Sequence, residues 1–488
     1  MPECPDLPRV GRHSARHAAR SPTAPRVGTR QGEPVAVARP AGLATAARLP
    51  PPVSVVGRIQ AARRRLRSDH LVRNSLYLIF SSGMQGALGL VFWLIAARLY
   101  SVDAIGRGSS LIAAVGVIAS AALLGLNTAF VRYLPIAANR DALLTSGLLL
   151  VTGAGAALAI LYVVLIPVAA PRLAFIERPV LAVGFVLLAA ASAANLLTDA
   201  VFIAARRAGW NAVIDGGIGG VSRVVGILAL AGAGGYGVFC ASSGGLAVAA
   251  LASMILMIGQ LRWRPTLHQC SGSLRPLVRF SGASYAANLA GALPGLVVPV
   301  IVLDRLGAAS AAYYFVGFQL ASILFAAITA VEQTFLAEGA YAGGSGMPRD
   351  DRRALLQRSR RLLALLCGPA CLALIAVAHW VLLAFGTRYS QHGTVSLMLI
   401  ASAAIPIAAN YWLWTVLRLA GKLRALVLGG AVYAGSICGL SWLLAPHGLG
   451  ALAAAWPLGS LISAGVSAIP STTSARHRRV SAHKVPAH

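Results

Sequence analysis

The sequence predicts an all-α membrane protein that crosses the bilayer about twelve times. Three observations carry this. Hydrophobic residues make up 57% of the 488-residue chain and charged residues only 11%, with a mean hydropathy of +0.73; a soluble chain would carry about 25% charged residues. From Asn74 onward, apolar stretches recur, each of about 20 residues or more and so long enough to span the hydrocarbon core. Lys and Arg gather in every second connection between those stretches, as expected of cytoplasmic loops.

Taken in order, the expected spans are 74–97, 109–134, 143–166, 180–203, 212–232, 236–260, 279–303, 311–335, 361–386, 394–417, 424–445 and 448–468. Two of the joints rest on chain breakers, Gly234–Gly235 and the stretch APHGLG at 445–450. Ahead of the first span, residues 1–70 are rich in Arg, Pro and Ala with no run long enough to cross a bilayer, and read as a disordered cytoplasmic tail. That segment has no apolar h-region, so it does not read as a secretory signal. The longest internal connections are 261–278 and 336–360. The first divides the helices six and six, giving a bundle at 71–260, a cytoplasmic linker at 261–278, a second bundle at 279–468 and a basic tail at 469–488.

The charge balance is strongly basic, 42 Lys and Arg against 14 Asp and Glu. Such an excess raises the question of nucleic acid, and its distribution answers it. With the N-terminus inside, inside loops and the C-terminal tail hold 21 of the basic residues. Outside loops hold six: Arg98, Arg107, Arg172, Arg178, Arg305 and Arg388. The asymmetry sets both termini in the cytoplasm and makes the basic excess topological, with no nucleic-acid partner. One basic residue, Arg223, falls in the middle of a span and not in a loop or at a span's end.

Arg223 follows a glycine-rich run, NAVIDGGIGGVSRVVG at 211–226. A phosphate cradle needs a strand before it, a helix after it and a polar setting; the flanks here are apolar. Gly216 and Gly220, four apart, fit close helix packing or a bend instead. Asp215 and Arg223 lie eight residues apart, about 12 Å along a helix axis and about 80° around it, too far to pair directly. An arginine at mid-membrane costs about 2.5–3.5 kcal/mol on insertion scales. It is tolerated beside a carboxylate on another helix or in a wet cavity, where its planar fork would suit a phosphate.

Other polar residues within spans are Gln85, Asn127, Asn195, Asp199, Asn288, Gln319, Glu332 and Asn410. Gln85, Asn127, Asn288 and Gln319 lie well inside, where amides either line a sugar-binding cavity or bond a neighbouring helix. Asp199 and Glu332 lie near cytoplasmic ends. Each would serve either to take up a coupling ion or to pair with a nearby arginine such as Arg206 or Arg207. The six cysteines form no CxxC and imply no metal or disulfide framework; Cys367 and Cys371 are at helix spacing. Neither a catalytic residue nor a cofactor is expected, and the missing Walker motif excludes an ATP-driven pump on this chain alone.

Three stretches share a pattern with one family. GLVFWLIAARLYSVDAIGRGSSL (89–111) resembles the first hairpin of polysaccharide exporters, LLGLNTAFVRYLP (123–135) the end of their second helix, and residues 279–341, opening RFSGASYAANLAGALPG, their helices 7 and 8. The family is the Wzx-type oligosaccharide flippases of the multidrug/oligosaccharidyl-lipid/polysaccharide exporter superfamily. The resemblance implies a V-shaped, MATE-like fold of two six-helix bundles in a bacterial cytoplasmic membrane. It implies movement of an undecaprenyl-pyrophosphate-linked oligosaccharide by alternating access, with membrane lipids, a polymerase and glycosyltransferases of the pathway as partners. Family members carry cationic cavity residues, a role that fits Arg223, whereas Arg98 and Arg132 match family patterns at helix ends. Two other readings stay open: a multidrug or metabolite antiporter of the same superfamily, and a membrane glycan polymerase or glycosyltransferase. Against the latter, the outside loops are short and their acids are Asp103, Glu177 and Asp304.

Overall fold

A computed structural model describes residues 86–134, 137, 139–205, 207, 209–266, 274–344 and 349–482, all within one contact unit, Arg63–His488. The expected tail at 1–70 and Gln85 lie outside the described residues. The helices are α1 (Gly86–Leu99), α2 (Val102–Ala122), α3 (Leu126–Tyr133), α4 (Arg140–Ala169), α5 (Pro179–Ala204), α6 (Gly209–Ala229), α7 (Gly234–Gln260), α8 (Leu274–Leu306) and α9 (Ala308–Gly344). They continue as α10 (Arg349–Phe385), α11 (Thr387–Ser402), α12 (Ala404–Leu419), α13 (Leu423–Leu444), α14 (Leu449–Ala453) and α15 (Ala455–Ala482). Among the described residues, eleven helical stretches are long and apolar enough to cross a membrane. The shorter apolar α1 occupies the place of the first expected span. The chain is therefore an all-α, multi-pass membrane protein.

Glycines make the joints. Gly234, Gly307, Gly386 and Gly448 have φ of +57°, +95°, +131° and +97°, a region open to glycine without a Cβ clash. Both expected breakers, Gly234–Gly235 and APHGLG, act as such.

Boundaries shift where hydropathy and helix propensity disagree. The second helix begins at Val102, not 109, because Ser101 caps it: its Oγ accepts the Ala104 N–H at 3.3 Å, with Asp103 in the first turn. It ends at a break where Leu124 and Gly125 both have positive φ; expected span 109–134 is thus two helices, α2 and α3. The connection expected at 336–360 is largely helix, since α9 runs to Gly344 and α10 starts at Arg349. Its Ala-, Leu- and Arg-rich sequence extends a helix beyond the apolar segment. For the same reason α8 begins within the expected linker and α15 runs to Ala482 within the expected basic tail.

Helices α2, α4, α5, α6 and α7 pack mainly on one another, and α8 to α15 do the same. The seam runs along α2, which packs on both α8 and α9. Ser110 Oγ donates to the Pro299 carbonyl at 3.3 Å, and Trp93 on α1 meets Phe315 on α9 with ring centroids 4.9 Å apart. At Gly106, α2 touches the start of α9 so closely that an added Cβ would collide with the Ala308 carbonyl. Backbone cannot yield as a side chain can. Gly106→Ala is expected to lower the thermal midpoint of the purified protein by several degrees, for overpacking of about 1–3 kcal/mol. An unchanged melting curve would show that the seam opens freely.

Candidate functional site

A cavity of ≈ 510 Å³ lies along that seam. From the first half, Trp93 on α1, Arg223 on α6 and Ser242 on α7 line it; from the second, Phe315, Gln319 and Ser322 on α9. The α9 residues stand at i, i+4 and i+7, one helical face. The wall thus combines one guanidinium, two hydroxyls and an amide with aromatic surface.

Arg223 reaches the cavity through two local features. The first is a π-helical segment, Ala212–Gly219, within α6. There the Gly220 N–H reaches back five residues to the Asp215 carbonyl, and such wide turns are frequent at functional sites. The glycine run is what lets a wide turn fit: Gly219 lies against α7, where a Cβ would sit 3.2 Å from Ala249 Cβ and from the Gly245 carbonyl oxygen. A Cβ on Gly220 would come 2.6 Å from Leu88 Cδ1. Close packing therefore holds as the role of the run, carried by Gly219 and Gly220, while Gly217 faces open space.

The second feature is Gly245 on α7. A Cβ there would collide with Arg223 Cγ, so the bare glycine is the notch across which the arginine stem lies. Arg223 Nε is buried and has no hydrogen-bond partner among the described residues. Asp215 attracts the guanidinium electrostatically, yet the two form no ion pair, as their spacing implies.

The structure brings Gln319 to Arg223 and sends other candidates elsewhere. Asn127 is not part of this cavity; at the start of α3 its Oδ1 accepts the Thr128 N–H at 2.8 Å. Gln85 and the side chain of Asn288 lie outside the described residues. Glu332 is buried in an ion pair, Oε1 to Arg418 Nη1 at 2.8 Å, and also accepts the Thr415 hydroxyl at 2.8 Å. Asn410 bonds across α12 and α15: its Nδ2 donates to the Ser460 carbonyl at 2.6 Å and its Oδ1 accepts from Ser463 at 2.8 Å. Arg98 donates to the Ala384 carbonyl at 3.0 Å, joining α1 to α10; the side chain of Arg132 lies outside the described residues.

Asp199, expected to take up a coupling ion or to pair with Arg206 or Arg207, instead neighbours Asp215, and Arg206 lies outside the described residues. Asn195 and Asn211 join the two aspartates. Asn195 Nδ2 donates to Asp215 Oδ1 at 3.0 Å, and Asn211 Nδ2 to the Asp199 carbonyl at 3.1 Å. The signal was legible as a doubled Asn-x-x-x-Asp, at 195–199 and 211–215, though only the fold sets the two copies face to face. The aromatic wall of Trp93 and Phe315 was also missed, because tryptophan and phenylalanine in apolar spans look like core. Among the described residues no group of three His, Cys, Asp or Glu is placed to hold a metal ion.

The family model described as "Polysaccharide biosynthesis protein" matches residues 95–392 of the chain. No curated protein matches it. Among solved structures, the chain is similar to the lipid II flippase MurJ in an inward closed conformation, at TM-score 0.65 and 12% identity, over 81% of this chain and 87% of that one. It is similar to an inward-facing multidrug resistance MATE family transporter of the MOP superfamily, at TM-score 0.61 and 14% identity, over 82% and 100%. A MOP superfamily transporter from Pyrococcus furiosus, described as having a binding pocket of reverse polarity, matches at TM-score 0.58 and 14% identity, over 85% and 96%. At such identities the likeness is one of fold: the chain has the MurJ- and MATE-like architecture.

Proposed function

The chain belongs to the polysaccharide biosynthesis protein family, and we propose that within it the protein is an exporter that carries a lipid-linked oligosaccharide across the cytoplasmic membrane by alternating access. The observation that supports this reading is Arg223. A guanidinium with an unpartnered Nε lines a cavity between two packed sets of helices. A cationic fork there matches the diphosphate of an undecaprenyl-pyrophosphate glycan. Gln319, Ser242 and Ser322 would exchange hydrogen bonds with sugar hydroxyls, and the aromatic wall of Trp93 and Phe315 would meet the apolar faces of the sugar rings. No bond need be made or broken, so the reaction calls for no nucleophile. Rocking of the two halves about the seam would expose the cavity to each leaflet in turn. On this reading both termini are cytoplasmic and the membrane is bacterial.

The test is leaflet distribution in cells lacking the gene. Lipid-linked glycan is expected to accumulate on the cytoplasmic leaflet while surface polysaccharide falls. Unchanged surface polysaccharide with reduced drug efflux would replace the reading with that of an antiporter for small metabolites.

A further inference from the structure

We propose that a lateral slot between α10 and α12 is a binding site for one anionic phospholipid, with the lipid phosphate on Arg360 and one acyl chain in the slot. The site would stand whatever cargo the protein moves.

The slot is a cavity of ≈ 450 Å³, within the ~300–1,000 Å³ usual for small-ligand sites. Cys367 and Gly368 on α10 and Ile405, Ala409 and Trp412 on α12 help to line it, and Arg360 is its one charged lining residue among those described. It shares no lining residue with the cavity at Arg223.

Three features shape it. First, α10 packs closely on α11 and far more sparsely on α12. Cys371 Sγ donates to the Ala401 carbonyl at 3.2 Å and ties α10 to α11 beside the break between α11 and α12. From that tie toward the start of α10 the slot lies between the helices, from Gly368 to Arg360, eight residues or about 12 Å along the axis. Second, an added Cβ on Gly368 would meet nothing within 4 Å. Glycine weakens a helix interior, and here no close approach calls for it. Its missing side chain is room in the slot. Third, the slot opens sideways. Ile405 is 58% exposed and Ala409 is exposed too, so in a membrane this mouth meets hydrocarbon.

Chemistry picks the occupant. Arg360 is exposed at the other end of the slot, in a stretch that also holds Arg352, Arg353, Arg358 and Arg361. On the charge asymmetry that end faces the cytoplasm, where anionic lipids attract arginines beside the membrane. A guanidinium at headgroup level suits a phosphate, and Trp412 has the amphipathic ring favoured at that depth. A free phosphate would use Arg360 and leave the apolar slot unfilled. A neutral lipid would fill the slot and leave the arginine unused. An anionic phospholipid uses both. Seated there, it would brace α12, whose Arg418 holds Glu332 on α9, the helix that carries Phe315 and Gln319 to the cavity at Arg223.

The experiment uses the purified full-length protein in phosphatidylcholine nanodiscs, into which phosphatidylglycerol or phosphatidylcholine with brominated acyl chains is titrated. Bromine quenches tryptophan fluorescence on contact, and the readout is the part of the quenching that Trp412→Phe removes. In the wild type that part is expected to saturate at about fivefold less phosphatidylglycerol than phosphatidylcholine, the equivalent of about 1 kcal/mol for one arginine near the surface. Arg360→Ala is expected to abolish the preference. Arg361→Ala, equal in charge but outside the slot, is expected to keep it. Gly368→Leu, which fills the slot and alters no charge, is expected to remove the Trp412 quenching by either lipid. Size-exclusion profiles identify any variant that fails to fold, and a rise in the wild-type thermal midpoint with phosphatidylglycerol then stands as the second measurement. Equal quenching by the two lipids in the wild type, with no such rise, overturns the inference, since it would mean annular lipid alone. So does unchanged quenching in folded Gly368→Leu, and so do equal losses in Arg360→Ala and Arg361→Ala, which would mean a diffuse surface field. Displacement of the brominated lipid by undecaprenyl pyrophosphate more readily than by phosphatidylglycerol would give the slot to an isoprenoid diphosphate and sink the phospholipid site.

Discussion

Arg223→Ala is expected to cut glycan export by tenfold or more while leaving the protein as stable as the wild type, or more so. Two opposite effects make this diagnostic. A charge-assisted bond from guanidinium to phosphate contributes about 1.5–3 kcal/mol, roughly a ten- to hundredfold change in occupancy. Holding the arginine within the membrane costs about 2.5–3.5 kcal/mol on insertion scales, and the truncated side chain escapes that cost. A residue whose loss improves stability and destroys activity is retained for function. Arg223→Lys keeps the charge without the planar fork and is expected to fall between wild type and Arg223→Ala. Export assayed per folded molecule, with the thermal midpoint measured alongside, checks all three. Equal export by wild type and Arg223→Ala would return Arg223 to a neutral role. Gly245 bears on the same point, because any side chain there would displace the arginine stem.

Glu332→Ala is expected to destabilise the protein more than Gly106→Ala or any of the cavity variants. Glu332 is 6% exposed and holds both Arg418 and Thr415, tying α9 to α12. Removing one partner of a buried ion pair leaves the other charge uncompensated by it, at about 3–5 kcal/mol. Glu332→Gln retains an acceptor for the Thr415 hydroxyl and is expected to cost less. Folded yield and thermal midpoint are the measurements. Export per folded molecule should stay near wild type in both variants. A fall in export per molecule with an unchanged midpoint would assign Glu332 a part in ion coupling in place of its structural one.

The fold class was legible because the bilayer leaves few choices. Every backbone polar group in hydrocarbon must be satisfied within its own segment, so apolar runs of span length become helices wherever they occur. The glycine breaks at 234 and 448 were equally visible, since left-handed backbone calls for a residue without a Cβ. Local chemistry misled where length was the criterion. The Ser101 cap moved the second helix seven residues earlier than hydropathy placed it, from 109 to Val102. The arginine-rich stretch after 349 formed helix where a loop was expected.

The functional residues divide in the same way. By itself the sequence determined that the chain is a multi-pass helical protein and singled out Arg223 as the basic residue in the middle of an expected span, because hydropathy and charge count are local properties. Tertiary structure alone decided which polar residues meet. Gln319 shares a cavity with Arg223 and Asn127 does not; Glu332 finds Arg418, 86 residues away. The two Asn-x-x-x-Asp copies meet across α5 and α6, Asn195 donating to Asp215 and Asn211 to the Asp199 carbonyl. A contact between helices depends on the rotation of each about its axis, and neighbouring side chains across the whole bundle set that rotation.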